Sequence, residues 1–317
     1  MIETVSVFLN KHNIRNMPVL MALSGGVDSC VLFYILNGLK SKYNLDLKVI
    51  HLNHNWPGED SFLDFEFAKK IADDANCEFY SKTLDDDIKK TELCAREARY
   101  EFFEEALQHF NSGVCFLAHN KNDNVETLIY RMIKGTGVSG LASIPAVRIP
   151  YYRPLLNVSR DEIEEFARIH NIEHRVDKSN DDAKYKRNFI RKNILPSMLE
   201  IAPNALNAMN SLINLANENN EILDDYIEHI EREIFDNNAK CWAYDRPAIK
   251  RDAFLGLKPA LQREIISRYF KGILKNRDYK NIVKIQNFIL DNENSTLSIN
   301  SDTFLRVLKG SVFLYKL

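Results

Sequence analysis

Paired cysteines are missing from this 317-residue chain. The five cysteines, Cys30, Cys77, Cys94, Cys115 and Cys241, form no Cys-x-x-Cys pair and are odd in number. That argues against a zinc site and against a disulfide framework, and makes a reducing, cytoplasmic setting the expectation. Long uncharged runs are missing too. No stretch reaches membrane-spanning length, and residues 1–18, with Lys11, His12 and Arg15, hold no extended apolar core, so neither a membrane partner nor export is expected. Internal repeats, low-complexity segments and a surplus of one charge are likewise lacking, the formal net charge being −2. What remains is a globular composition. Hydrophobic residues at 45% suffice for a real core, charged residues at 27% are ordinary, and the length points to two domains.

Two common nucleotide signatures are absent as well, although the chain has a loop of the right kind. Residues 19–23 are apolar and strand-like, Ser24-Gly25-Gly26-Val27-Asp28-Ser29 turns sharply, and a helical pattern starts at once with Val31, Leu32, Ile35 and Leu36. Such a unit offers an anion the first N–H groups of the helix and the hydroxyls of Ser24 and Ser29. No lysine follows the glycines as a Walker loop requires, and Ser29 stands where a dinucleotide fingerprint needs its third glycine. The plain alternative is a glycine turn with a capping aspartate.

Strand patterns recur at residues 47–52, 78–82 and 114–118, and helical patterns at 64–74, 92–110 and 123–133. The alternation predicts an α/β fold with an open, mostly parallel, doubly wound, Rossmann-like sheet. Ligands in such folds lie at the carboxyl ends of strands, where the Ser24 loop, His51 and His119 fall. A capping box, Ser159-x-x-Glu162, opens a helix through His170, and a basic helix then ends near Pro196. Residues 203–236 read as one long or two stacked helices and 259–274 and 279–290 as two more. Residues 296–317 read as short strands, with Lys309-Gly310 turning a hairpin. The expected domains are therefore 1–200 and a mainly helical 201–317 that ends in short β-strands. Gly135-x-Gly137-x-x-Gly140 imitates a dinucleotide motif but follows a helix and opens no strand–helix unit, so a loop beside the ligand is expected there.

The run at 24–29 resembles the pyrophosphate loop of the N-type ATP pyrophosphatases, the PP-loop family. Further blocks are similar to those of bacterial tRNA(Ile)-lysidine synthetases: Ala95-Arg96-x-x-Arg99-Tyr100-x-x-Phe103, Leu117-Ala118-His119 with Asp123 and Glu126-Thr127, residues 135–141, Arg153-Pro154-Leu155-Leu156, Asp177-x-Ser179-Asn180, Arg187-Asn188-x-Ile190-Arg191 and Leu195-Pro196. This resemblance implies that ATP and Mg²⁺ are used, that Ser24, Gly25, Gly26, Val27, Asp28 and Ser29 hold the pyrophosphate, and that Asp28 and Asp123 place the metal. It implies nucleotide contacts from His51 and Arg187 and catalytic roles for Asp28, Arg96, Arg99, His119 and Asp123. The implied reaction adenylates the wobble cytidine of tRNA(Ile) with a CAU anticodon, and free L-lysine then displaces AMP. The chain departs from the pattern at Asn120, Asn122 and Asn124, where a histidine, an aspartate and a glutamine are usual, and at Asn53-His54-Asn55-Trp56.

Duller readings stand beside these. Arg96 and Arg99 lie one helical turn apart and could be surface charges, His119 could be a core histidine, and Arg187 and Arg191, on one helical face, could be solvated. Two rival functions remain: a tRNA thiolation enzyme of the same loop family, against which the lack of paired cysteines counts, and a non-catalytic RNA-binding relative. Charge is unevenly spread. Residues 218–236 hold eight acids against Arg232, residues 246–280 hold ten bases against Asp252, Glu264 and Asp278, and Lys184, Lys186, Arg187, Arg191 and Lys192 form a separate basic cluster. Local basic faces suit a protein that grips one polyanion, or are simply solvated helix faces. Monomer and homodimer are both open.

Overall fold

The computed structural model describes residues 1–53, 60–84, 92–175, 186–240, 246–274, 278–308 and 310–316. His54, Asn55, Trp56, Asp177, Ser179, Asn180, Lys184, Lys275, Arg277 and Lys309, all used above, lie outside them. The chain forms two compact units, residues 1–133 with 143–213, and residues 134–142 with 214–317.

The first unit contains, in chain order, α1 (Ile2–Lys11), β1 (Met17–Ala22), α2 (Val27–Tyr43), β2 (Leu45–Asn53), α3 (Asp60–Asp74), β3 (Phe79–Thr83), α4 (Glu92–His109), β4 (Cys115–Phe116) and α5 (Lys121–Lys134). After α6 (Val138–Leu141), which belongs to the second unit, come β5 (Val147–Arg148), β6 (Tyr151–Tyr152), α7 (Arg160–Ile169), α8 (Lys186–Phe189), a π-helical turn (Ile190–Ile194) and α9 (Leu195–Ile201). The strands form one sheet in the order β3-β2-β1-β4-β6-β5, parallel except for the β5–β6 pair.

Why β1 reads as an unbroken apolar run is visible in its packing. Alternate residues of a strand point to opposite faces. Val19 and Met21 join the cluster under α1, α2, α3 and α7, whereas Leu20 joins Phe102, Phe103, Ala106 and Leu107 of α4 on the other face. Both faces are covered, so every position gains from being apolar, roughly 1.5–3 kcal/mol for each fully buried large side chain. The sheet is thus doubly wound, and its central strand delivers the Ser24 loop.

One expectation is corrected here. The basic helix does not stop near Pro196: it runs through the π-helical turn into α9 and on to Ile201, the turn falling just before the proline, whose missing N–H breaks the regular ladder.

The second unit holds α6, most of α10 (Ala205–Ile234), β7 (Phe235–Lys240), β8 (Pro247–Lys250), α11 (Arg251–Leu255), α12 (Pro259–Tyr269), α13 (Tyr279–Asp291), β9 (Ser295–Ser298), β10 (Thr303–Leu308) and β11 (Ser311–Lys316). α10 is a single helix of 30 residues. The strands form an antiparallel sheet in the order β7-β8-β11-β10-β9, with Leu308 opposite Ser311 at the hairpin and Gly310 at φ +77°. Ile249, Phe254, Ile266, Phe270, Ile289, Leu305 and Leu314 are among its core residues. The residues 135–140, expected as a ligand loop, instead form α6 and its approach within this unit, where Asn220 Nδ2 donates to Ser139 O at 3.4 Å. Among the described residues no helix is long and apolar enough to cross a membrane.

Candidate active site

β1 ends at Ala22, and Leu23 N–H still binds Ile50 O at 2.9 Å before the chain turns. Gly25 takes φ +87°, a left-handed conformation that only glycine adopts without strain. Gly26 then caps α2 with extended backbone and no side-chain hydrogen bond. The loop satisfies its own carbonyls: Ser29 Oγ donates to Gly26 O at 2.9 Å, Arg175 N–H to Gly25 O at 2.9 Å, and the Cys30 thiol to Gly25 O at 3.3 Å. With its proton on Gly26 O, Ser29 Oγ accepts from Ser24 N–H at 3.2 Å and from Ser24 Oγ at 3.1 Å. The first-turn N–H groups of α2 have no carbonyl of their own helix within reach, which leaves a donor-rich cradle. Val27 is core, so what it offers a ligand is backbone.

Asp28, in the first turn of α2, is held from two sides. Asn120 Nδ2 donates to Oδ1 at 3.0 Å, and Arg160 Nη1 donates to Oδ2 at 2.6 Å. Burial pushes the Asp28 carboxyl above the usual carboxylate range, and Arg160 and Asn120 pull it back. Asn120 also opens α5 with a reciprocal cap: its Oδ1 accepts from Asp123 N–H at 3.0 Å, and its own N–H donates to Asp123 Oδ2 at 3.1 Å. Asp28 and Asp123 therefore meet at one asparagine.

One turn along α5, Arg191 reaches both acids. Its guanidinium makes a two-pronged contact with Glu126 at 2.7 and 3.1 Å and touches Asp123 Oδ1 at 3.2 Å. Burial raises Glu126 against that pull. Arg187, half-buried, also acts on Glu126, so the two arginines converge across the π-helical turn.

His119, at the end of β4, sits among arginines. Arg153, itself buried, donates Nε–H to His119 Nδ1 at 3.3 Å and Nη1–H to Pro145 O at 3.0 Å. Burial pulls the imidazole down to about 4, Asp123 opposing and Arg153, Arg99 and Arg96 assisting. Accepting at Nδ1 places the proton of the neutral ring on Nε2, an assignment made from the hydrogen bond. Arg96 lies over the Tyr100 ring at 5.1 Å; both it and Arg99 are exposed. His51 is packed rather than open: it is 4% exposed, lies against Phe79 and Phe65, and binds Leu23 O through Nδ1 at 2.8 Å, and its Nε2 is buried with no partner among the described residues. Burial lowers its pKa.

The three departing asparagines all have structural duties. Asn122 Oδ1 accepts from Arg160 N–H at 3.0 Å, and Asn124 Oδ1 accepts from Ile144 N–H at 2.8 Å. Two contributors escaped sequence reasoning: Arg160, 132 positions from the aspartate it pairs with, and Asn120 as a ligand of that aspartate. The capping box at Ser159 marked the helix start beside Arg160 but not where its side chain would go.

Comparison with known proteins agrees with this picture. Residues 2–198 match the PP-loop domain family. A tRNA(Ile)-lysidine synthase from Clostridium tetani is 33% identical over 299 residues, 90% of this chain and 63% of that protein. One from Thermotoga maritima is 39% identical over 193 residues, 59% of this chain and 46% of that protein. The chain thus spans less than two thirds of the length of these curated relatives. A U34-tRNA thiolase from Methanococcus maripaludis, solved with its [4Fe-4S] cluster, superposes with a TM-score of 0.58 at 18% identity, covering 68% of this chain and 77% of that one, a likeness of fold alone.

Proposed function

The chain belongs to the PP-loop domain family, and from that premise we propose that it is an ATP-dependent tRNA-modifying ligase. It adenylates the C2 oxygen of the wobble cytidine of a tRNA(Ile) with a CAU anticodon, releasing pyrophosphate, and joins the ε-amine of free lysine to C2, releasing AMP. The names of its relatives support the choice of reaction. The observation that carries it is the meeting of the donor-rich α2 cradle with two carboxylates, Asp28 and Asp123, at Asn120.

A pyrimidine carbonyl oxygen is a poor leaving group, and conversion to AMP makes attack by an amine at C2 feasible. The cradle of Ser24, Gly25, Gly26, Val27 and Ser29 stabilises the departing pyrophosphate through N–H and O–H donors. His51 fixes the start of the loop from behind through its bond to Leu23 O, and so supports the nucleotide site from the core. The hard carboxylate oxygens of Asp28 and Asp123 are a donor set that fits Mg²⁺, and these two residues would hold it. The ion they would hold would supply neutralisation of the charge on the departing pyrophosphate. Asp123, kept in place by Arg191 and Asn120, takes the proton as the amine attacks. His119 is neutral with its proton on Nε2, a donor to the substrate and not its base. Arg96, Arg99 and Arg187 offset the charge that develops on phosphate and oxyanion. Residues 1–200 then make up the catalytic domain, and 201–317 hold the tRNA through its phosphates.

The test is incubation of the purified chain with ATP, Mg²⁺, radiolabelled lysine and an isoleucine tRNA transcript bearing a wobble cytidine. Label in the tRNA, abolished by Asp28→Ala, is the expected outcome. ATP-dependent pyrophosphate release without label moves the reading to another nucleophile, and tRNA binding with neither signal replaces it with a binding-only relative.

A further inference from the structure

The carboxylate of Asp28 is held on both oxygens, and its supports come from two other helices. α5 contributes Asn120, whose Nδ2 stands 3.0 Å from Oδ1, and α7 contributes Arg160, whose Nη1 stands 2.6 Å from Oδ2. These helices are in turn joined to each other, because Asn122 Oδ1 accepts Arg160 N–H at 3.0 Å. The bonds close a ring: Asp28, Asn120, one turn of α5, Asn122, the start of α7, Arg160, and back to Asp28. Three helix N-termini converge on it.

We propose that Asn120 and Asn122 are positioning residues for Asp28, Asn120 by holding the carboxylate and Asn122 by holding the helix end from which Arg160 reaches it. The inference rests on the nucleotide-binding reading above and deepens it. The chemistry of Asn120 is specific. As the cap of α5 it must accept from Asp123 N–H, a duty that Asn, Asp, Ser and Thr all perform. To hold Asp28 it must also donate, and of these only asparagine carries both an accepting oxygen and an amide donor at the end of one rigid fork. It is 2% exposed, so neither duty is shared with bulk water. Asn122 only accepts, which an aspartate does equally well. At the first turn of α5 the two asparagines thus carry different parts of one task, and neither is a remnant of lost chemistry.

This difference makes the roles separable. Asn120→Asp keeps a capping oxygen and loses the amide donor to Asp28, and Asn120→Ser keeps a capping oxygen on a side chain too short for its hydroxyl to replace the amide that reaches Asp28. Isothermal titration of the full chain with ATP in the presence of Mg²⁺, alongside thermal midpoints, reads both duties. The expected result is a midpoint lowered modestly in Asn120→Ser and further in Asn120→Asp, where a second carboxylate faces Asp28, with nucleotide bound about ten- to a hundredfold more weakly in both, the scale of a lost hydrogen bond to a charged group. Asn122→Ala weakens binding in the same direction, and Asn122→Asp restores it because it still accepts Arg160 N–H. Should Asn120→Asp fail to fold, Asn120→Ser tests the same donor without the added charge. Wild-type binding in a folded Asn120→Ser or Asn120→Asp overturns the positioning role while leaving the nucleotide site standing. A wild-type chain that binds no ATP with Mg²⁺ overturns the reading on which it rests.

Discussion

At Gly25 a side chain would have room: a Cβ built there comes no nearer than 3.6 Å, to Phe67 Cδ1. The cost of Gly25→Ala therefore lies in the backbone, which at φ +87° opposes any L-residue by about 1–2 kcal/mol. Urea denaturation should show a loss of that size, and nucleotide binding should weaken as the loop relaxes towards negative φ. His119 makes a prediction about pH. The unfolded chain takes up a proton on this histidine near 6.5, the folded one only near 4. Between those values unfolding binds a proton, so stability falls as the pH drops through that window. His51 is lowered in the same sense. The thermal midpoint should decline from pH 7 to pH 5, and His119→Asn should flatten the decline. An unchanged slope in that variant would assign the acid sensitivity to other groups.

Among the elements, α7 tests how local chemistry reaches the site. Its capping box is complete, Ser159 Oγ accepting from Glu162 N–H at 3.3 Å and Ser159 N–H donating to Glu162 Oε2 at 2.8 Å. Ser159→Ala should cost about 1 kcal/mol by chemical denaturation. Because Arg160 is the next residue, the same change should also weaken nucleotide binding, whereas a cap elsewhere would alter stability alone. That box was legible in the sequence, as were β1 to β4 and the helices α2 to α5 between them, since period and capping are written locally, whereas the two-residue strands β5 and β6 are too short to show a period. The β10–β11 hairpin was legible from its alternation and turn. β7 was not: Phe235 and Asp236 continue a helical pattern in the sequence, and pairing with Ile249 and Ala248 of β8 draws them into a strand instead. The π-helical turn carries no local mark either. The site divides along the same line. Its loop stood out because turn and helix start are adjacent, but the Arg160–Asp28 pair joins residues 132 apart and the Asn120–Asp28 bond residues 92 apart, distances over which periodicity says nothing.

For the molecule as a whole, the basic stretch at 246–280 is less free than its composition suggests. Arg251 is buried and donates to Ile289 O at 3.0 Å and Leu290 O at 2.8 Å, closing the end of α13. Arg268 is paired with Asp224 and with Glu264. Lys258 and Lys271 are exposed. If this unit grips tRNA phosphates, Lys258→Ala and Lys271→Ala should each lower the salt dependence of tRNA binding by about one unit of log–log slope with little change in stability. Arg251→Ala should instead destabilise the fold by about 1.5–3 kcal/mol. Binding isotherms at several salt concentrations, with a thermal scan, distinguish the two classes.

Cys30 sits directly behind the loop, 2% exposed, its thiol tied to Gly25 O, and burial pushes its pKa up to about 12. Cys115, fully buried in β4, is raised as well. Both belong to the first unit. Neither is reactive as a thiol or reachable by a reagent while that unit is closed, so alkylation of either residue becomes a clock for its opening. Pulse-alkylation read by mass spectrometry should find both silent in the native chain and slower still once the loop is filled. Cys30 would then time the breathing of the cradle and Cys115 that of the sheet, without any label being introduced.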